Sequence, residues 1–189
     1  MGTTVAVIDA CVLFTPSLRD LFMRLARQRL YQPKWTDEIH EEWMRNLLEK
    51  REDLSRDKLI RTRDLMNENA GDCLVEAYEP LIETLTLPDP GDRHVLAAAI
   101  RSEAEAIITF NLKDFPKDNL EAYGIRPVHP DEFAMELFTL DSVRFCAAVR
   151  AQRQGLKNPS YTASELVERF RKNSLDKVAD ALTLQLDNI

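Results

Sequence analysis

The chain has 189 residues, 44% of them hydrophobic, and a net charge of −7, which suits one globular domain with a sizeable core and excludes a disordered or fibrous protein. No run approaches the roughly 18 apolar residues of a membrane helix, and the N-terminus lacks the basic and apolar regions of a signal peptide. A cytoplasmic protein is therefore expected. Cys11, Cys73 and Cys146 are far apart, odd in number and without C-x-x-C spacing, so neither a disulfide framework nor a zinc site is implied, and buried or inert thiols are expected.

In chain order, Val5-Ala6-Val7-Ile8-Asp9 is an apolar run ending in a carboxylate, the pattern of a strand buried on both faces of a parallel sheet. Asp9 either caps the following turn or awaits partners at the strand tip. Thr15 as N-cap and Pro16 at the first position open a helix to about Arg29, with Leu18, Leu21, Phe22 and Leu25 on one face. Leu30 and Tyr31 supply a short second strand before Pro33. Thr36 then caps a helix carrying Ile39, Trp43, Leu47 and Leu48 at helical spacing. Glu42 lies at the edge of that stripe and can turn inward, whereas Glu38 and Glu41 are better placed for water.

Ser55 begins a polar-rich helix to about Asn69, residues 71–78 read as a further short helix, and Leu81 to Leu87 reads as a strand. A turn rich in Pro and Gly feeds the alanine-rich helix from Arg93, with Asp92 at its N-cap or first turn, where capping alone would account for a carboxylate. Ala106 to Thr109 is the next buried strand, followed directly by Asn111 and Asp114. Residues 131–189 hold only helical periodicity, divided by a loop from Gly155 to Ser160.

Alternating strands and helices with right-handed crossovers make a parallel sheet whose strand tips share one edge, so Asp9, Glu42, Asp92, Asn111 and Asp114 can converge there. An all-oxygen set suits Mg²⁺ or Mn²⁺, which activate water and steady the leaving oxygen in phosphodiester hydrolysis. His94, two residues after Asp92 on a helix, points elsewhere and reads as a packing or surface residue. His40 and His129 have no ligand spacing, and Lys113 either touches a phosphate or is solvated.

The charge is unevenly spread. Residues 19–34 hold five basic residues against Asp20 alone, and residues 45–63 carry a net +3, whereas residues 64–132 carry 15 acids and five bases. Basic segments flanking an acidic site can hold a polyanion by its backbone, with Arg24, Arg27 and Arg51 as candidate RNA contacts; solvated helix faces explain the same charges without function.

In Val-Ile-Asp9-Ala-Cys-Val-Leu, Ile39-His-Glu-Glu42, Asp92-Arg-His-Val-Leu-Ala-Ala-Ala and Thr109-Phe-Asn-Leu-Lys-Asp-Phe the chain resembles the PIN-domain nucleases, and among them the VapC-like toxins of toxin-antitoxin pairs. The resemblance implies a three-layer α/β/α domain over residues 1–130 with a helical C-terminal extension over 131–189. It implies a Mg²⁺- or Mn²⁺-dependent endoribonuclease in which Asp9, Glu42, Asp92 and Asp114 are catalytic and, with Asn111, hold the metal, while water is the attacking group. A small antitoxin would block the cleft. The extension would cover the site, mediate a homodimer, receive the antitoxin, or simply pack on the sheet edge.

Two departures stand out. Ala10 and Cys11 occupy places where many members have Thr or Ser and then Asn, removing polar support for the first acid, and Asn111 replaces an Asp, leaving Asp114 as the nearest carboxylate. They keep open a catalytically weak PIN-fold binding or regulatory module. An aspartyl-nucleophile phosphatase is a further alternative, weakened because Cys11 stands where haloacid-dehalogenase-like enzymes place a second Asp.

Overall fold

A computed structural model of the protein describes residues 3–189; Met1 and Gly2, the first residues of the expected nuclease unit, lie outside the described part. Its sheet consists of β1 (Val5–Ile8), β2 (Gln32–Lys34), β3 (Ala106–Ile108) and β4 (Arg126–Val128), all parallel and in the spatial order β2-β1-β3-β4. The two central strands, β1 and β3, are the two apolar runs. Helices flank both faces, giving the three-layer α/β/α architecture.

β2 lies two residues beyond the expected position and contains Pro33. The Gln32 N–H donates to Thr4 O at 2.8 Å, so the nitrogen of Pro33 faces away from β1, where a missing donor costs nothing. Leu30 and Tyr31 serve the core instead, and the Tyr31 hydroxyl donates to Phe22 O at 3.0 Å. β4 escaped the sequence reading because it is a three-residue edge strand with an exposed Arg126 and a proline.

Between the strands run α1 (Ala10–Leu13), α2 (Pro16–Arg27), α3 (Asp37–Lys50), α4 (Arg56–Ala70), α5 (Glu79–Ile82), α6 (Arg93–Arg101) and α7 (Lys117–Leu120). The helices expected from Thr15, Thr36 and Ser55 all form, and Thr36 Oγ1 accepts from the Ile39 N–H at 3.1 Å as a capping side chain should. Residues 71–78 are not helical: Trp35 N–H donates to Cys73 O and Val75 N–H to Trp35 O, so this stretch continues the sheet edge. Nor is Leu81 to Leu87 a strand. Pro80 sits in the first turn of α5, a position it favours, and Leu85 and Leu87 are then buried one by one from irregular backbone.

A buried polar network fixes α3 against α4. The Trp43 indole donates to His40 Nδ1 at 3.0 Å, so Nε2 carries the proton and faces Asn67 Oδ1 at 3.1 Å, an oxygen that also accepts from the Trp35 indole at 2.8 Å. Burial lowers the His40 pKa to about 4, keeping it neutral.

The C-terminal segment forms α8 (Pro130–Leu140), α9 (Ser142–Gly155), α10 (Ala163–Lys172) and α11 (Asp176–Thr183), all helical as the periodicity predicts. Phe133 of α8 packs against Phe22 and Tyr31, with ring centroids 6.4 and 5.3 Å away, and Gln152 of α9 donates to Ser17 O on α2 at 2.8 Å. These helices thus share one continuous core with the sheet.

The start of α11 has no side-chain cap of its own; instead the buried Asp131 of α8 accepts from the N–H groups of Lys177 and Val178 at 2.9 and 3.0 Å. A carboxylate there satisfies donors the helix cannot pair internally and suits the positive end of its dipole. We expect Asp131→Ala to cost about 1–3 kcal/mol of unfolding free energy in a urea titration, the range for charged hydrogen bonds lost in the interior. A change within experimental error would show that Asp131 does not hold α11 in place.

Candidate active site

β1 and β3 are paired in register, Ile8 beside Ile108, so the residues that follow them, Asp9 and Thr109, stand next to each other; the Asp9 N–H donates to Ile108 O at 3.0 Å. The strand order reverses between β1 and β3, because the chain leaves β1 for β2 on one side and returns to β3 on the other. A crevice opens at the carboxyl ends of strands at such a point.

Asp9 is 4% exposed. The Thr109 hydroxyl donates to Asp9 Oδ2 at 2.6 Å and the Cys11 thiol to the same oxygen at 3.0 Å, while the Asn111 N–H donates to Thr109 Oγ1 at 2.9 Å and orients that hydroxyl. Burial pushes the Asp9 carboxyl above its ordinary range, and the two donors only partly offset it. Burial also pushes the Cys11 thiol up, so it keeps its proton and remains a donor. The expectation that positions 10 and 11 remove support from the acid is thus corrected for Cys11, whose unreactive, protonated thiol supplies a hydrogen bond to it. Both donors address Oδ2, and among the described residues no side chain donates to Oδ1.

The other acids reach the crevice from separate elements. Glu42 projects from α3, Asp92 ends a 3₁₀ turn (Pro90–Asp92) just before α6, and Asp114 ends another (Leu112–Asp114) after β3. Half-burial first, and then the negative charges of Asp9, Asp89, Asp114 and Glu42, push the Asp92 carboxyl up to about 6. Capping does not explain Asp92, whose side chain makes no cap hydrogen bond; Asp89 takes that part, accepting from the Gly91 N–H at 2.8 Å. Asn111 is exposed, and its side chain makes no hydrogen bond among the described residues.

His94 differs from its expected role as a packing or surface residue. It is buried, yet its neighbours are carboxylates: Nε2 lies 3.6 Å from Glu42 Oε2 and Nδ1 3.8 Å from Glu38 Oε2. Burial by itself lowers its pKa, but Glu42, then Glu38 and Asp9, outweigh that and hold it above the ordinary histidine value. Two-residue spacing from Asp92 turned His94 away from that acid, as expected, and toward α3. Glu38 keeps the solvent exposure expected of it and accepts from the Tyr78 hydroxyl at 3.1 Å.

Among the described residues no three His, Cys, Asp or Glu side chains stand in positions that would hold a metal as they are. The donor chemistry nevertheless fits a hard cation: all-oxygen ligands, and a carboxyl raised to about 6 by burial first and then by its like-charged neighbours. The candidate RNA contacts are Arg24, Arg27 and Arg51. Arg24 and Arg27 face α4 from α2, with Arg24 paired to Asp20 at 3.0 Å, and Arg51 at the end of α3 is paired to Asp53 at 2.7 Å.

The family model described as PIN domain matches residues 4–113, more than half of the chain and the whole run from β1 past Asn111. The chain belongs to the PIN-domain family. Beyond this PIN domain, the model described as VapC50 C-terminal domain matches residues 130–184, the span of α8 to α11. A protein named Putative ribonuclease VapC50, from Mycobacterium tuberculosis (strain ATCC 25618 / H37Rv), is 40% identical over 77 residues, 41% of this chain and 46% of the relative, so less than half of the relative's length is matched. No solved structure matches the chain.

In this PIN domain the raised Asp92 pKa fixes a pH dependence. A carboxyl whose pKa rises from 3.8 to about 6 on folding favours the protonated fold, so its stabilisation is complete below about pH 4 and is lost as the pH climbs through 6. We expect metal-free wild type to lose stability over that window relative to Asp92→Asn, measured as melting temperature against pH. Parallel curves for the two proteins would remove Asp92 from the repelling group.

Proposed function

We propose that the protein is a Mg²⁺- or Mn²⁺-dependent endoribonuclease of the VapC type, cleaving RNA phosphodiester bonds with water as the nucleophile. The observation that carries this reading is that Asp9, Asp114 and Glu42 stand near Asp92 by the switch between β1 and β3, their charges adding to burial in pushing it up to about 6. Membership of the PIN-domain family and the printed name of the mycobacterial relative support it.

Asp9, Glu42, Asp92 and Asp114 would hold the ion, with Asn111 assisting. When bound, such an ion activates water and stabilises negative charge on the leaving oxygen. The chain's own contribution is orientation and charge. Thr109 and Cys11 fix Asp9 through Oδ2, and His94, held above the ordinary histidine value, stands beside Glu42. Asp92 can hold a proton in the metal-free site and release it when a cation arrives, so metal affinity falls as the pH drops below about 6. We further propose that residues 1–130 act as the nuclease unit and 131–189 as a helical extension. No helix of the described residues is long and apolar enough to cross a membrane, which suits a nuclease acting on RNA in the cytoplasm. A small antitoxin that blocks the crevice is the partner this reading calls for.

Structured RNA incubated with the protein should be cut in Mg²⁺ or Mn²⁺ and left intact in chelator. Asp9→Asn or Asp92→Asn should slow cleavage at least about 100-fold, the scale of losing a main charge-stabilising group. Full activity in chelator would refute the metal requirement. Independently of activity, Mn²⁺ should raise the wild-type melting temperature with concentration and move Asp92→Asn far less. The variant itself should melt no lower than wild type without metal, since it loses a repelled charge and no cap.

A further inference from the structure

The acids of the crevice are not the only charged feature built by distant parts of the chain. Between the segment after α1, the end of α3, the start of α4 and the end of α10 lies an open groove of about 670 Å³. Arg19, Lys50, Arg51, Lys58, Arg169 and Lys172 line it, and no carboxylate does. Among the described residues Lys50, Lys58, Arg169 and Lys172 have no carboxylate partner, and Arg51 is paired only with the exposed Asp53. In a chain of net charge −7, a groove lined by six cations and no acid is a local inversion of sign.

We propose that this groove holds the sugar-phosphate backbone of single-stranded RNA, so that α10 of the C-terminal extension forms one wall of the substrate path. The proposal rests on the ribonuclease reading, and three observations lead to it. First, the groove joins the crevice through the chain: its floor, Phe14 to Ser17, follows Asp9 across the four residues of α1. Lys50 lies eight residues beyond Glu42 on α3, about 12 Å along the helix axis at 1.5 Å per residue. Second, the groove offers fixed partial charge as well as side chains. α2 begins on its floor, and its N-cap Thr15 makes no side-chain cap hydrogen bond; with Pro16 lacking an N–H and the Leu18 N–H given to Thr15 O, the Ser17 N–H and the positive end of the helix dipole are left to an anion. Third, three of the cations are pre-positioned on aromatic rings: Arg19 lies 4.5 Å from the Trp43 ring centroid, Lys50 Nζ lies 4.9 Å from that of Phe14, and Arg169 sits over Tyr161 at 5.4 Å and donates to its hydroxyl. The expected RNA contact Arg51 belongs to this groove, whereas Arg24 and Arg27 line the neighbouring cleft of α2 and α4.

The test uses the full chain in EDTA and a short oligouridylate, with affinity followed against salt concentration. Arg169→Gln/Lys172→Gln, both on the extension, should weaken binding and flatten the slope of log affinity against log salt by about 1.4, at about 0.7 per phosphate contact on a single strand. Lys50→Gln/Lys58→Gln, on the opposite wall, should do the same, which keeps the test decisive if one double variant fails to fold. Arg101→Gln/Lys117→Gln changes the net charge equally outside the groove and should leave the slope where it was. Unchanged slopes in both groove variants, or an equal loss in the control, would overturn the proposal without touching the ribonuclease reading. Tighter groove-dependent binding of polyglutamate than of oligouridylate would also overturn it and assign the groove to an acidic protein segment. Groove-dependent RNA binding by a protein that cleaves no RNA in Mg²⁺ or Mn²⁺ would support the groove and end the ribonuclease reading instead.

Discussion

The hydrogen bond from Thr109 to Asp9 joins residues 100 positions apart, and the arrangement of the crevice follows from it. A carboxylate at 4% exposure is tolerable only with donors, and the parallel register of β1 with β3 delivers one at 2.6 Å from the first residue past the neighbouring strand. That pairing in turn needs the chain to return to the far side of β1 after building β2, and four helices, α3 to α6, with a long irregular stretch lie between β2 and β3. The sheet order therefore makes the crevice and supplies the hydroxyl that lets an acid sit in it.

The remaining acids obey a different logic. Glu42, Asp92 and Asp114 come from a helix and two tight turns, and what unites them is repulsion rather than bonding. Folding buries Asp92 among like charges and stores the cost in a shifted carboxyl. Stability spent in this way at a functional site is a common compromise between holding a structure and doing chemistry.

Those parts of the fold whose causes are local were legible in the sequence. The apolar runs of β1 and β3 and the helix starts at Thr15, Thr36 and Ser55 declare themselves within a few residues. Asp9, Glu42, Asp92 and Asp114 could be named because each stands at the edge of such an element. Residues whose role is set by a distant partner were not legible. Cys11 looks like an apolar substitution until Asp9 and Phe110 stand beside it, and His94 looks like packing until α3 brings Glu38 and Glu42 against it. The register of β2 depends on which side of Pro33 faces β1, and residues 71–78 are extended because Trp35 offers them a ladder; neither fact is written in the local pattern. The groove of cations is a similar case, since its walls come from segments more than 100 residues apart.

The neutral His40 network has a bearing on the site although it touches none of the acids. One face of α3 is clamped by the two indoles, the imidazole and Asn67, and Glu42 rides on the same rigid rod. The aim of Glu42 is therefore set from behind, as a rudder is set by its tiller, and Asn67, on a different helix, shares control of where that carboxylate points. Directed evolution of this protein would find hidden leverage there: altering the tiller retunes the acidic crevice while leaving every residue in it untouched.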